Sequence, residues 1–359
     1  MPPRTPRRPD PDVVVDETLS NRGALRVALL DWYDRAARAM AWRVAPAARA
    51  AGARPDPYAV WLSEVMLQQT TVATVGAYFA RFMEAYPTVG RLAAAPREEV
   101  LRLWAGLGYY SRARNLHAAA QDLAAHGFPD TEAGWRALPG VGPYTAAAVA
   151  AIAFDRPANV VDGNVERVMA RLFAVEAPLP DAKGELTALA AGFVTDDRPG
   201  DWAQALMDLG ATMCTPRAPG CDRCPVAFAC RAFADGSPET FPRKRAKATR
   251  PERHGVAFRL TRHGRILLVR RPDKGLLGGM AALPSTPWRT EVWTQAEAVA
   301  QAPAQVAWRS LGAVRHVFTH FSLTLEVWAG EGDADGEWRP LDALADAGLP
   351  TVFRKAAVL

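Results

Sequence analysis

A chain of 359 residues, 49% of them apolar, is long enough for two or three hydrophobic cores and too apolar to stay disordered. Its longest apolar run, AAAVAAIAF at Ala146–Phe154, falls far short of the ~20 residues that span a bilayer, which argues against a membrane protein. A net charge of +5 and a pI near 9.2 allow a polyanionic partner without requiring one.

The chain opens with MPPRTPRRPDPDVVVDE, which lacks an apolar h-region and carries several acids. Residues 1–20 therefore read as a disordered tail and not as a signal or transit peptide. The expected location is the cytoplasm, where disulfides are disfavoured. From Asn21 to about Phe233 the pattern is helical: Ala, Leu and Arg dominate, and apolar residues recur at three- and four-residue spacing between Pro/Gly breaks. In PYAVWLSEVMLQQTTVATVGAYFARFMEAYP, helical spacing sets Val60, Trp61 and Leu67 beside Glu64. A carboxyl on that face resists ionisation, so Glu64 is either a proton donor near neutral pH or a helix-seam acid satisfied by an arginine. A second helical stretch, REEVLRLWAGLGYYSRARNLHAAAQDLAAHG, follows.

TEAGWRA and LPGVGPYTAAAVAAIAF then pair two helices around Gly140 and Gly142, with Pro143 opening the second. Such a turn is either a plain connector or a helix–hairpin–helix over about 131–153. The latter presents free N–H groups to a phosphate and binds the DNA backbone without reading sequence. Asp162 closes an apolar run before the helix of DGNVERVMARL, as an N-cap or as a carboxylate held at a helix terminus. An acid paired with an anionic stabiliser is the logic of glycoside hydrolysis. On DNA the bond would be the N-glycosidic bond of a flipped nucleotide.

All four cysteines, Cys214, Cys221, Cys224 and Cys230, lie in CTPRAPGCDRCPVAFAC, spaced C-x6-C-x2-C-x5-C. Disulfides, zinc and an iron–sulfur cluster compete for them, and spacing alone leaves zinc open. The basic run PRKRAKATRPERH at Pro242–His254 marks a linker, placed at 236–253. Beyond it, GVAFRLTRHGRILLVRRP predicts a β-hairpin, and RHVFTHFSLTLEVWAG and EWRPL add strand-like pieces. The fold class expected is a mainly α region over 21–235 followed by an α+β domain over 254–359.

Together SEVMLQQT, GLGYYSRARNLH, LPGVGPYTA, DGNVERV, QALMDLGATMC and the cysteine loop resemble adenine DNA glycosylases of the MutY type, in the endonuclease III superfamily. The resemblance spans nearly the whole chain after the tail. It implies a base-excision enzyme that removes adenine opposite 8-oxoguanine or guanine in double-stranded DNA, a monomer that works on the nucleoid. It implies a 4Fe–4S cluster on the four cysteines, with Arg217, Arg223 and Arg231 turned to phosphates. Glu64 matches the acid that protonates adenine, Asp162 the carboxylate facing the cationic sugar, and Asn164 a residue that orients them. Tyr144 stands where bifunctional relatives carry a lysine, which implies base removal without strand cleavage. Gln69, Thr70, Leu107, Gly108 and Tyr109 match residues around the lesion, and Gly140 and Gly142 match the hairpin. Arg38 and Arg43 flank MAW where the family carries a similar run, which implies a DNA- or lesion-binding role for them, although the usual proline is missing and an insertion, APAARAAGA, follows.

The C-terminal segment resembles the Nudix-like recognition domain of that family, but no metal-binding Nudix box follows RRPDKGLLGGMAALP. In HVFTHF, Phe318, Thr319 and His320 match the loop that meets 8-oxoguanine, with Thr319 where many relatives carry serine. Two other readings remain: a glycosylase for G·T or G·U mismatches, and a non-catalytic lesion or redox sensor. The C-terminal domain argues against the first, and the joint presence of Glu64, Tyr144 and Asp162 against the second.

Overall fold

Prolines open several of the helices that follow Asn21. Pro46–Ala50, Pro57–Leu67, Pro143–Phe154 and Pro199–Asp208 each begin on a proline, whose fixed φ suits a first turn. The computed structural model describes residues 21–245, 250–272 and 275–359, so the expected tail over 1–20 and part of the basic run lie outside it. The chain forms two units, Met1–Leu103 with Arg112–Ala246, and Trp104–Ser111 with Lys247–Leu359. Among the described residues no helix is long and apolar enough to cross a membrane.

In the first unit, helix Pro57–Leu67 is buried from Tyr58 to Met66. Asp56 caps its start by accepting from Tyr58 N at 2.9 Å. Arg112 closes its end, donating to the carbonyls of Val65 and Met66 at 3.1 and 2.9 Å. Helix Val72–Ala85 follows after a break at Gln69, which takes a φ of +55° without any glycine or proline to announce it. The stretch REEVLRLWAGLGYYSRARNLHAAAQDLAAHG likewise divides, into Arg97–Leu103 and Ser111–His126. Gly106, Gly108 and Tyr109 between them all have positive φ.

Two helices, Glu132–Arg136 and Pro143–Phe154, flank the Gly140–Gly142 turn. Thr131 caps helix Glu132–Arg136, and helix Pro143–Phe154 leaves the turn with Gly142 as its N-cap. Gly140 sits at φ +73°, and a Cβ there would come within 2.5 Å of Asn115 Cβ. At the far end the helix closes on Asp155 in the left-handed region. The buried Arg49, from the inserted helix Pro46–Ala50, donates to Ile152 O at 2.9 Å and pairs with Asp155 and Asp201. Helix Pro199–Asp208 crosses at Gly200, where a Cβ would lie 2.5 Å from Ala151 O. The start of the basic run docks back: Leu179 N donates to Arg243 O at 2.8 Å and Arg245 N to Leu179 O at 3.2 Å. That part of the expected linker is thus backbone-paired.

The second unit is a mixed sheet in the order β3-β2-β1-β5-β4, with β3 the short strand Ala281–Ala282 and β6 (Glu337–Pro340) on β2. β1 (Glu252–Arg262) and β2 (Arg265–Arg270) make the expected hairpin through His263 and Gly264, both at positive φ, as a tight primed turn requires. β1 runs parallel to β5 (Ser322–Glu331), which pairs antiparallel with β4 (Arg309–Val317). Alternation along β1 and β5 feeds two cores. Ala257, Leu323, Leu325 and Val327 pack with Val352 and Phe353 of helix Thr351–Ala357. Val256, Phe258 and Trp328 face Ala298 of helix Gln295–Val299. Both faces of the central strands are thereby covered.

The crossing at Gly200 yields a stability prediction. Gly200→Ala forces a methyl against a backbone oxygen that belongs to the hairpin helix. It should lower unfolding free energy by about 1–3 kcal/mol, measured by urea or thermal melts. An unchanged midpoint would mean the two helices separate freely.

Candidate active site and cysteine loop

Glu64 faces inward from the buried helix Pro57–Leu67 and is only 6% exposed. Its Oε2 has no hydrogen-bond partner. Burial pushes its carboxyl up to about 7, helped slightly by the negative charge of Asp162 and opposed by a polar contact with the Tyr144 hydroxyl and by Arg43. Tyr144, in the first turn of the hairpin helix, donates its hydroxyl to Met207 Sδ at 3.4 Å. Burial and the charges of Glu64 and Asp162 raise its pKa well above the ordinary phenol value, so the phenol stays protonated.

Asp162 is the N-cap of helix Gly163–Leu172. Its Oδ1 accepts from Asn164 N at 2.9 Å and Val165 N at 2.8 Å, and its Oδ2 from Asn164 Nδ2 at 2.8 Å. Capping and orientation of the carboxylate are therefore one arrangement. The chain of bonds continues: Arg167 Nη2 donates to Asn164 Oδ1 at 2.9 Å and to Gly210 O at 2.7 Å, while Arg167 Nε donates to Cys214 O at 2.8 Å. Gly210 lies in a single π turn, Leu209–Met213, and packs so close that a Cβ would come within 2.6 Å of Asn164 Cβ. Such wide turns recur at functional sites.

One helical turn beyond Arg167, Arg171 is 2% exposed. It donates to Cys214 Sγ at 3.2 Å, to Thr215 O at 2.8 Å, to Pro216 O at 3.2 Å, and through Nε to Pro238 O at 2.7 Å. A buried guanidinium is tolerated only when its donors are met and its charge is balanced. Carbonyls and the Cys214 sulfur meet the donors. All four cysteines are free thiols lining one small, largely apolar cavity with Val168, Leu172 and Val226. Among the described residues, no three or more His, Cys, Asp or Glu side chains gather as the ligands of a single ion. Four thiols around one cavity, one of them accepting from a buried guanidinium, are a donor set of the kind a 4Fe–4S cluster takes.

Glu64, Tyr144, Asp162 and Asn164 come together in the first unit, with Arg43 in electrostatic reach. Arg43 Nη1 donates to both oxygens of Asp208, at 2.9 and 2.8 Å, and Arg38 N donates to Asp208 Oδ2 at 3.0 Å. Gln69 is exposed, and Thr70 is held by Arg112 at 3.3 Å. Leu107, Gly108 and Tyr109 belong to the second unit; Leu107 is buried, whereas Tyr109 is 51% exposed. Of the loop arginines, Arg217 and Arg223 are exposed and Arg231 pairs with Asp235 at 3.2 Å. In the second unit Phe318 N donates to Phe321 O at 2.9 Å, which leaves Thr319 and His320 as the exposed centre of the β4–β5 turn.

Sequence reasoning missed Arg167, Arg171, Met207 and Asp208. The first two carried a readable signal: Asn164, Arg167 and Arg171 are spaced by three and four, which aligns them on one helix face. Asp208 was a lone acid inside the apolar run QALMDLGATM.

Residues 62–190 match the model of the HhH-GPD superfamily of base excision DNA repair proteins, and residues 255–358 that of the NUDIX domain. The human adenine DNA glycosylase (Homo sapiens) is 39% identical over 85% of this chain and 66% of its own length. The mouse protein (Mus musculus) is 36% identical over 92% of this chain and 77% of its own. A solved thermostable thymine-DNA glycosylase superposes with a TM-score of 0.53 and 28% identity, covering 60% of this chain and 98% of that one. Thymine-glycosylase similarity thus spans little more than the helical part, while similarity to the adenine enzymes runs through both units. The chain belongs to the adenine DNA glycosylases, with a helical HhH-GPD region followed by a NUDIX domain.

Proposed function

We propose that this chain hydrolyses the N-glycosidic bond of adenine opposed by 8-oxoguanine or guanine in duplex DNA. The observation that carries the reading is the contrast between two carboxyl groups of one site. Glu64 is buried with an unpartnered oxygen and a pKa near 7, while Asp162 accepts three hydrogen bonds. A flipped adenine leaves as a poor anion unless protonated, and protonated Glu64 supplies that proton. As the bond lengthens, positive charge grows at the sugar, where the oriented Asp162 carboxylate stabilises it. Asn164 and Arg167 hold that carboxylate before charge develops, so little reorganisation is needed in the transition state. Water completes the reaction. Tyr144, kept neutral, anchors against Met207 and offers no amine for a Schiff base, so the product is an abasic site in an unbroken strand.

Cys214, Cys221, Cys224 and Cys230 would hold a 4Fe–4S cluster, which supplies a rigid cross-link for the loop bearing Arg217 and Arg223. Hydrolysis of a glycosidic bond transfers no electron. The hairpin's Gly140 and Gly142, with the first-turn N–H groups of the helix they open, would hold a phosphate. Thr319 and His320 at the exposed turn would meet the oxidised edge of the opposite base. The decisive assay is single-turnover base release from duplexes bearing adenine opposite 8-oxoguanine, guanine, cytosine and thymine, together with G·T and G·U. Release from G·T or G·U in preference to any adenine pair would overturn the reading.

Glu64→Gln should suppress base release and abolish the fall in rate as pH rises through about 7. The same burial weakens the fold. A carboxyl whose folded pKa lies above its unfolded value binds a proton more tightly when folded, so its contribution to stability is lost as pH climbs from the unfolded pKa through about 7. The loss is up to about 3 kcal/mol. Glu64→Gln should therefore melt higher than the parent at pH 8, with the gap closing by pH 5. A parent melting temperature that does not decline over this range would show Glu64 to be solvated.

Asp162→Asn should cut single-turnover release by on the order of 10²-fold or more while duplex affinity survives. Parent products should break only after alkali. Near-parental rates in the variant would reduce Asp162 to a helix cap. Protein purified without air should contain about four iron and four sulfide per chain, and Cys224→Ser should lower DNA affinity and solubility more than the rate of the bound complex. Stoichiometric zinc without iron would overturn the cluster.

A further inference from the structure

The turn between β4 and β5 exposes only Thr319 and His320, and its ladder fixes little of their attitude beyond one hydrogen bond, Phe318 N to Phe321 O at 2.9 Å. The residues on either side fold back into an aromatic cluster. Phe318 and Phe321 lie 4.9 Å apart between ring centres, and both rest on Trp288: Phe318 stacks on it at 5.6 Å and 29°, and Phe321 meets it at 6.3 Å. Arg271 lies over the indole at 4.9 Å, and Phe353 of the C-terminal helix lies 6.0 Å away. Arg253 covers Phe321 at 4.4 Å.

Trp288 is itself held in a fixed mount. A Cβ on Gly255 of β1 would fall 2.6 Å from Trp288 Cδ1, so the missing side chain is the notch that admits the ring. The backbone is tied to β1 on both sides of Trp288. Thr286 exchanges bonds with Val256 through N to O at 2.9 Å and Oγ1 at 3.0 Å, and Arg289 exchanges both backbone bonds with His254, at 2.7 and 3.1 Å. The indole is thus a rigid platform, and the two anchors of an otherwise loosely held turn sit on it.

We infer that Trp288 is a positioning residue for recognition of the opposite base: it sets the height and tilt of Thr319 and His320 toward the oxidised edge of a purine. The inference rests on the reading that those two residues meet that base. Hydrogen bonds to a base edge demand placement to about half an ångström. A platform that shifts the anchors by the thickness of a lost ring forfeits them while leaving adenine excision itself alone. Nothing in HVFTHF reveals this, because Trp288 lies 30 residues upstream.

The experiment uses the full chain and compares single-turnover rates and affinities on A·8-oxoguanine and A·G duplexes. The variants are Trp288→Leu, Trp288→Phe, Phe353→Leu, and Thr319→Ala with His320→Ala. Trp288→Leu should shrink the preference for 8-oxoguanine at least about 5-fold with the A·G rate unchanged. Trp288→Phe should restore most of it. Phe353→Leu, which removes a ring beside Trp288 but leaves the contacts of Phe318 and Phe321 with the indole in place, should lower the melting temperature but keep the preference. If Trp288→Leu keeps the preference while the double variant loses it, Trp288 is structural only and the inference fails, with the turn's role intact. A double variant that keeps the preference overturns the turn's role and the inference with it. Equal losses on both duplexes for Trp288→Leu would mark general destabilisation and likewise overturn it. Should Trp288→Leu not fold, Trp288→Phe and Trp288→His carry the comparison, and a preference indifferent to both has the same consequence.

Discussion

Glu64 and Asp162 lie near each other in opposite surroundings, one buried with an unpartnered oxygen and one accepting three hydrogen bonds, and much of the first unit is arranged around that contrast. Neutral Glu64 requires a helix buried on every side, because a carboxyl with a solvated face would ionise near its ordinary value. That explains why Tyr58 to Met66 carry no exposed face and why Arg112 comes in from a separate helix to satisfy the carbonyls at the end. Asp162 needs the reverse, a supply of donors, and a helix start provides them without bringing in another charged side chain. Sequence alone could not separate cap from catalyst at this position; Asp162 is the cap, and the role proposed for it uses the same bonds. The hydrogen bonds that cap the helix are those that aim the carboxylate.

Arginines carry the organisation outward from that pair. Arg167 and Arg171, on one face of the Asp162 helix, spend their donors on Asn164, on Gly210 O, on the backbone around Cys214 and on its sulfur. A displaced cysteine loop would pull on the Arg167 guanidinium that holds Asn164, so the loop is linked to the Asp162 carboxylate through three hydrogen bonds, Arg167 to Cys214 O, Arg167 to Asn164 and Asn164 to Asp162. Arg49 does comparable work at the opposite end of the hairpin helix. There the inserted segment, which looked like a disturbance of the pocket, ties down the helix that carries Tyr144.

What the sequence disclosed follows from how local each signal is. The hairpin at His263–Gly264, the Gly140–Pro143 turn and the apolar surroundings of Glu64 are written in adjacent or helically spaced residues, and all were readable. The breaks at Gln69 and Tyr109 were not, because a left-handed backbone at a non-glycine residue is imposed by packing and leaves no compositional trace. Arg171 illustrates a second blindness. An arginine on a mixed helix looks like a solvated residue, and only the fold reveals that the cysteine loop encloses it. Trp288 and Asp208 fall outside any motif for the same reason: their partners lie far away along the chain.

The π turn at Leu209–Met213 has a further meaning. Cys214 N reaches back five residues to Leu209 O at 2.7 Å, so this turn holds one residue more than an α-helix would. One extra residue rotates everything after it by roughly 100° about the helix axis. Met207 and Asp208, before the turn, are phased toward Tyr144 and Arg43; Cys214, after it, is phased toward the other cysteines. The bulge works as a gearbox between two orientations on a single rod. Shortening it by one residue would make a more regular helix and leave either the pocket or the cysteine loop facing the wrong way.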